Sequence, residues 1–331
     1  MSKSYIILGG DGVFGIHNAK YLLEKTNPKK VICVGRNPRK APAYTLNIGK
    51  GDPRFEYHQI HCVFELDRIR ELFDRVRPDV IINYAALAYA TSWEKSFRYY
   101  ETNVVSLCHM VDHVAQRDYL QRWVQIGSSE VYGSNDRPVD EDAVLRPTSP
   151  YAVSKMAGDL HLLSYINGVK NFKMNILRPS NAYGEGQQPY RILPRAVICA
   201  LAGVRVPLQG GGTVKKSYLH AQDLASAVQA IVEKAPTGRV YNCGPREPQS
   251  IRTLVEEVAR QARIPFDQLC EITSGRTGED ATYWLDSQRI ESELGWKPVV
   301  RLEEGVQRMM EWGRQNLDFL KNEPVDFVLR A

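Results

Sequence analysis

The chain has no Cys-x-x-Cys pair, and its six cysteines and seven histidines share no paired metal-ligand spacing. That excludes the usual zinc modules, and no metal is expected. Several of the cysteines (Cys33, Cys62, Cys108, Cys199, Cys243 and Cys270) lie inside apolar strand-like runs. Buried free thiols in a reducing cytoplasm are the expectation. No apolar run approaches the length of a membrane-spanning helix. Charge of one sign is not in large excess: 43 Lys and Arg against 38 Asp and Glu leave +5. The cations are scattered, and no aromatic-interleaved basic stripe points to nucleic acid. There is no internal repeat and no low-complexity tract. The opening residues run directly into a strand, so no signal peptide is expected. What remains is 331 residues, 43% hydrophobic and 24% charged. That is ample for a large core, as one domain with a lobe or as two domains.

Strand-like runs recur at 5–9, 31–34, 55–60, 80–84, 123–127, 174–178 and 239–243. Helical patterns fall between them, near 13–25, 66–76, 95–116, 152–167 and 221–234. Such alternation predicts an α/β fold, a Rossmann-type doubly wound parallel sheet with helices on both faces. After residue 179 Pro, Gly and basic residues rise, and no strand is expected before Val240. Residues 248–331 read as helical again, with a Pro/Gly/Thr-rich connection near 273–281 and a closing amphipathic helix from Leu302 to Leu317. The predicted division is a dinucleotide-binding domain of 1–178 plus 219–247. A smaller C-terminal substrate-binding lobe takes 179–218 plus 248–331.

The first strand-like run is followed at once by Gly9-Gly10-Asp11-Gly12-Val13-Phe14-Gly15 and then a helical pattern. In a strand–loop–helix unit Gly9 permits a tight turn, Gly12 a close approach to pyrophosphate, and Gly15 tight helix packing. A plain glycine turn is the competing reading. The second strand ends in Gly35-Arg36-Asn37-Pro38-Arg39-Lys40, without the carboxylate that an NAD site uses on the ribose. Three cations there favour NADP over NAD, against a simple solvated basic turn. In mid-chain, Ser128-Ser129-Glu130 precedes Tyr151-Ala-Val-Ser-Lys155. Tyr151 and Lys155, four apart on a helix, share a face. The ammonium is expected to draw the phenol pKa down, so that Tyr151 exchanges a proton with a substrate hydroxyl.

These strings, with Asn83-Tyr-Ala-Ala86, Thr102-Asn103, Gly127-Ser-Ser-Glu-Val-Tyr-Gly133, Arg178-Pro-Ser-Asn-Ala-Tyr-Gly184, Gln188-Pro-Tyr-Arg-Ile-Leu-Pro194, Tyr241-Asn-Cys-Gly244 and Leu294-Gly-Trp-Lys-Pro298, lie in one order. Together they resemble the extended short-chain dehydrogenase/reductases that modify nucleotide-sugars, over nearly the whole chain. The resemblance implies a dinucleotide held by Gly9, Gly12, Val13, Phe14, Gly15, Arg36, Asn37, Arg39, Val63, Ala85, Ala86, Asn103, Tyr151, Lys155 and Pro179. It implies an NDP-sugar held by Tyr89, Asn181, Arg191, Lys216 and Arg276. Ser128, Ser129, Glu130, Tyr151 and Lys155 are the implied catalytic group. Tyr151 would deprotonate the sugar 4-hydroxyl with Ser128 on the 4-oxygen, and Lys155 would hold the nicotinamide ribose. The resemblance also implies a homodimer formed through the 95–116 and 152–167 helices, although that apolar face equally suits core packing.

Glu130 discriminates among subfamilies. Once C4 is a ketone, a carboxylate can take the C5 proton and water leaves from C6. Ser128-Ser129-Glu130 is similar to the Thr-Ser-Glu of GDP-mannose 4,6-dehydratases and the Thr-Asp-Glu of dTDP-glucose 4,6-dehydratases. Ser129 replaces the acid of the second group, which leaves the identity of the acid open; Glu130 acting alone, first as base and then as acid, is one answer. An NDP-sugar 4,6-dehydratase is the leading reading. A 4-epimerase, a 4-keto-sugar reductase and a C4 dehydrogenase of the same family are alternatives. A non-catalytic NAD(P)-binding protein on the same fold is a further one. Lys216 stands where many members carry Arg, and a point charge loses the bidentate grip on diphosphate. His220 is read as structural and Cys62 as a packed thiol. Glu130 has a competing role as a structural cap.

Overall fold

The computed structural model describes residues 2–88, 93, 95–168, 172–274 and 282–325. Seven parallel strands form one sheet in the order Val240–Cys243, Met174–Pro179, Arg122–Ile126, Val80–Asn83, Ser4–Leu8, Lys30–Gly35, Phe55–Gln59. Side chains alternate across it, as the two-residue strand period requires. Tyr5, Ile7, Val31 and Cys33 face a core shared with the helices Val13–Lys25 and Ala221–Lys234. Ile6, Leu8, Ile32 and Val34 face the opposite core, closed by Leu66–Val76, Ser106–Ala115 and Pro150–Gly168. The predicted doubly wound Rossmann sheet is therefore observed.

The strand order reverses between Ser4–Leu8 and Val80–Asn83. Strands on the two sides of that point send their connections away to opposite faces, and a crevice opens at their carboxyl ends. Two loops flank it: Gly9–Gly12 and the segment after Asn83. They touch, because a Cβ on Gly9 would come within 2.7 Å of the Ala85 nitrogen.

Three expectations need correction. The stretch before Val240 contains short strands at Asn181–Tyr183, Val206–Gln209, Lys215–Lys216 and Tyr218–His220. Each has two to four residues, too few for a periodic signal to stand above the Pro/Gly-rich background. Likewise Cys270–Thr273 and Thr282–Tyr283 are strands inside the segment read as helical. The predicted helix at 95–116 is not uniform. Phe97–Tyr100 and Ser106–Ala115 are α-helical, but Glu101–Val105 between them is a π turn. A third core, built on Leu193, Leu208, Leu254, Val258, Val306 and Met309, packs the helices Ile192–Ala202, Ile251–Ala262 and Leu302–Leu320 beyond the sheet. Among the described residues no helix is long and apolar enough to cross a membrane.

Candidate active site

The fully buried first strand delivers Gly9 to the crevice with a φ of 71°. That left-handed backbone suits glycine. The Gly12 N–H donates to the Gly9 carbonyl at 3.0 Å, closing the turn. Gly15 lies against it, since a Cβ there would sit 2.5 Å from the Gly9 oxygen. Gly10 was not singled out in the sequence, yet its Cβ would strike that of Cys33 at 2.6 Å. Gly12 differs: its Cβ would meet only the Gly9 oxygen, at 3.1 Å. Gly12 caps the helix Val13–Lys25 with no side-chain hydrogen bond and no acid in the first turn. The amides of Val13 and Phe14 thus form an uncapped helix N-terminus, the environment a pyrophosphate requires.

The cationic loop after the second strand is partly committed elsewhere. Lys40 Nζ donates to the Asp11 carbonyl at 2.7 Å. Arg39 stacks 4.8 Å over the Phe55 ring and donates to the Ile48 carbonyl. Asn37 accepts from the Tyr57 hydroxyl. Arg36 is left exposed at the mouth of the strand. Arg98, absent from the sequence reading, stands near it. Burial, then the charges of Arg36 and Arg98, push His61 below the usual histidine range. The Val63 N–H, one of the groups expected to meet adenine, is bonded to His61 Nδ1 at 3.1 Å. That leaves the Val63 carbonyl. Burial raises the Cys62 thiol to about 12, so it is a packed, protonated group.

Asn83, Ala85, Ala86 and Asn103 act together. Asn83 Oδ1 accepts from the Ala85 N–H at 3.0 Å, and its amide donates to Gln125 at 3.0 Å. Asn103 brackets Leu87, accepting from its N–H at 2.9 Å and donating to its carbonyl at 3.2 Å. The same Asn103 amide donates to Ser154 Oγ at 2.9 Å, and Ser154 donates to the Tyr151 carbonyl at 2.7 Å. Asn103 lies inside the π turn, a local widening often found at functional sites. It ties the fourth-strand loop to the Tyr151 helix.

Ser128 caps a 3-10 turn, Ser129–Tyr132, and its Oγ accepts from the Glu130 N–H at 3.2 Å. Ser129 is buried. The Ser128 hydroxyl lies close enough to the Tyr151 phenol to favour its ionised form, and the charges of Glu130 and Arg191 reach the same phenol. Tyr99, 1% exposed, packs edge-on against the Tyr151 ring with centroids 6.2 Å apart. Ser128, Glu130, Tyr151 and Arg191 therefore converge.

The expected acidification of Tyr151 does not hold in this state. Burial and then Glu130 raise the phenol above its ordinary value, against Ser128 and Arg191 which lower it. Lys155 Nζ makes its hydrogen bond elsewhere, donating to the Ile126 carbonyl at 2.7 Å. Sequence spacing put the two side chains on one face but left burial and the lysine's own hydrogen bond unseen. Burial also draws Lys155 below the usual lysine range, opposed by Asp159.

On the sugar side, Arg191 caps the helix Ile192–Ala202 and lies 5.6 Å over Tyr190. Asn181 and Lys216 sit in short strands beside the sheet. Asn181 Oδ1 is buried and without a hydrogen bond among the described residues. Lys216 lies 5.7 Å over the Tyr283 ring. Tyr89 and Arg276 lie outside the described residues. Pro179 ends its strand opposite Cys243. His220 caps Ala221–Lys234 and bonds Glu185 at 3.1 Å, away from the phenol.

A family model described as GDP-mannose 4,6 dehydratase matches residues 6–309. A dTDP-glucose 4,6-dehydratase of Streptomyces griseus is 30% identical over 316 residues, covering 94% of each chain. A trifunctional UDP-glucose 4,6-dehydratase/UDP-4-keto-6-deoxy-D-glucose 3,5-epimerase/UDP-4-keto-L-rhamnose-reductase of Arabidopsis thaliana is 24% identical over 95% of this chain. The chain spans only 47% of that relative's length. Among solved structures, the dTDP-glucose 4,6-dehydratase of Bacillus anthracis in complex with NAD superposes with a TM-score of 0.87. The two are 25% identical, over 97% of this chain and 99% of that one.

Proposed function

The chain belongs to the GDP-mannose 4,6 dehydratase family, and from that premise we propose that it is an NDP-sugar 4,6-dehydratase using NADP. The observation that carries the proposal is Glu130. Its carboxylate stands close enough to Tyr151 to shift the phenol, so a base for C5 lies beside the base for the 4-hydroxyl. The uncapped amides of Val13 and Phe14 and the open side of Gly12 fit a dinucleotide pyrophosphate. Pro179, Ala85, Ala86, Asn103 and Lys155 supply the remaining contacts. Arg36, with Arg98 nearby, favours a 2′-phosphate over the hydroxyl of NAD, while Arg39 braces the loop.

When bound, the coenzyme supplies a hydride store, taking hydride from C4 and returning it to C6. Tyr151 takes the proton of the sugar 4-hydroxyl, and Ser128 hydrogen-bonds the 4-oxygen as it becomes a carbonyl. Lys155 places positive charge at the floor of the site, where the phenolate forms. The C4 ketone acidifies C5, and Glu130 removes that proton. Ser129 has no acidic proton to give, so Glu130 hands the same proton to the C6 oxygen, which leaves as water. Once hydride is back on C6, the enolate takes a proton at C5 from solvent, and Tyr151 releases to solvent the proton it took from the 4-hydroxyl. Arg191, Asn181 and Lys216 orient the diphosphate and sugar.

The test is incubation of the purified protein with GDP-, UDP-, dTDP- and CDP-sugars. Dehydration is read as product lighter by one water with no net accumulation of reduced coenzyme. An unchanged mass with inverted C4 indicates epimerisation instead. Coenzyme binding without any turnover indicates a binding protein.

We further read the outer face of Phe97–Tyr100, the π turn and Pro150–Gly168 as a homodimer surface. Phe97, Val105 and Leu160 are 58%, 49% and 50% exposed there. Light scattering that reports a monomer removes this assignment. All six cysteines are free thiols, which supports a reducing, cytoplasmic setting.

A further inference from the structure

A buried polar chain lies directly behind Lys155, and the chemistry above makes no use of it. Asp159 follows Lys155 by one helical turn, on the same side of Pro150–Gly168. Asp159 is 1% exposed and Arg178 is 2% exposed. Arg178 Nε donates to Asp159 Oδ2 at 2.9 Å, and Arg178 Nη1 donates to the Tyr132 hydroxyl at 2.8 Å. Tyr132 donates to Asn242 Oδ1 at 2.9 Å, and the Asn242 N–H donates to Glu141 Oε1 at 2.6 Å. The second Asp159 oxygen, Oδ1, is buried and has no hydrogen bond among the described residues.

Lys155 and Asp159 converge on one peptide unit. Lys155 Nζ bonds the Ile126 carbonyl. At the next residue, a Cβ on Gly127 would sit 3.3 Å from Asp159 Oδ2 and 2.9 Å from Arg178 Cγ. Glycine at 127 lets the carboxylate–guanidinium pair press against the strand end beneath the ammonium. Lys155 is only 4% exposed. Its hydrogen bond goes to a neutral carbonyl, and a buried ammonium without a nearby anion loses its proton. The other charges near the catalytic pair, Glu130 and Arg191, face the phenol from the cleft. Glu141 is reached only through Tyr132 and Asn242. Asp159 is therefore the anion placed behind Lys155, and Arg178 and Tyr132 hold it there.

We infer that Asp159 is a positioning residue that keeps Lys155 protonated at the floor of the site, and that Arg178 keeps Asp159 ionised for that role. This rests on the Tyr151–Lys155 reading. Removing the negative charge favours both the phenolate and the neutral amine. In Asp159→Asn both limbs of the pH–rate profile for C4 oxidation therefore move to lower pH, by roughly one unit. Asp159→Glu restores the charge and keeps the wild-type limbs. Arg178→Gln removes the cation that keeps the buried Asp159 ionised, so the limbs again move to lower pH, which decides the matter should Asp159→Asn not fold. Competitive acetylation of Lys155, followed by mass spectrometry across pH, needs no turnover. Its midpoint falls in Asp159→Asn. Unmoved limbs together with an unmoved acetylation midpoint in a folded variant overturn the inference. A wild-type protein that oxidises no NDP-sugar overturns the functional reading, and the acetylation midpoint still decides this one.

Discussion

Glu130 and Tyr151 divide the proposed reaction into two proton transfers, so single substitutions should stop it at different points. Glu130→Gln keeps the shape of the 3-10 turn and removes the base for C5. C4 oxidation should survive while water loss falls by about 10²–10⁴-fold, the usual contribution of a positioned acid or base. The measurement is a rapid-mixing trace. Reduced nicotinamide should build up with no lighter product, and dehydration at the wild-type rate refutes the assignment. Tyr151→Phe should instead slow C4 oxidation itself by a similar factor, with no reduced nicotinamide seen. At this scale the sequence was legible where function depends on spacing. A Tyr and a Lys one turn apart, with Ser-Ser-Glu upstream, are visible in the bare chain. The direction of the Tyr151 pKa was not legible. It follows from burial, from Glu130 and from the Lys155 bond to Ile126, all set by tertiary packing. Asp159 left a trace, one turn beyond Lys155, but its partner Arg178 is brought to it only by the sheet.

Elements position these groups through backbone geometry more than through side-chain chemistry. Gly9 combines a left-handed φ with contact against the Ala85 nitrogen. Gly9→Ala should cost about 1–2 kcal/mol from the dihedral alone, and more from the steric conflict. It should also weaken coenzyme binding, because the turn sets the helix N-terminus. Calorimetry of dinucleotide binding beside a thermal melt checks both, and unchanged affinity in a folded variant counts against the loop as the pyrophosphate site. Asn103 makes the companion case. Asn103→Ala leaves the Leu87 N–H and carbonyl without their partner, at a cost of roughly 1–3 kcal/mol. It also frees the fourth-strand loop from the Tyr151 helix, so catalytic turnover should fall along with the melting temperature. The seven sheet strands and the helices 13–25, 66–76 and 221–234 were legible because each is a run of at least four residues with a clear period. The π turn was not, since one extra residue per turn leaves an apolar pattern almost unchanged. The short strands at 181–183, 206–209, 215–216, 218–220, 270–273 and 282–283 were hidden because two to four residues in a Pro/Gly-rich background carry no clear period.

At the scale of the whole molecule, a buried cluster joins the glycine-loop helix to Glu185 and to the start of Ala221–Lys234. His17, on Val13–Lys25, bonds the Glu185 carbonyl through Nε2 at 2.9 Å. Glu185 also takes His220 Nε2 at 3.1 Å, at the start of Ala221–Lys234. Burial lowers His17 from 6.5 to about 4, against the pull of the Glu185 charge and with smaller like-charge effects from His220 and Lys20. In the unfolded chain that histidine returns to its ordinary value. Between pH 6.5 and about 4 the unfolded state therefore binds a proton that the folded state refuses. Stability is full above that window and falls as pH drops through it, by roughly 3 kcal/mol in all. Glu185 adds a second, lower window. Burial opposes its ionisation, but the two histidines hold its folded pKa at about 2, below its ordinary 4.5. Its contribution is present above pH 4.5 and is lost as pH falls towards 2. Melting temperature measured from pH 7 downward should therefore decline in the wild type before most carboxylates titrate. His17→Gln should remove the upper part of that slope and leave the lower part. Parallel curves for the two proteins would show that the cluster does not govern acid stability. A flattened upper slope would show that the buried His17 contact with Glu185 governs the first loss of stability in acid.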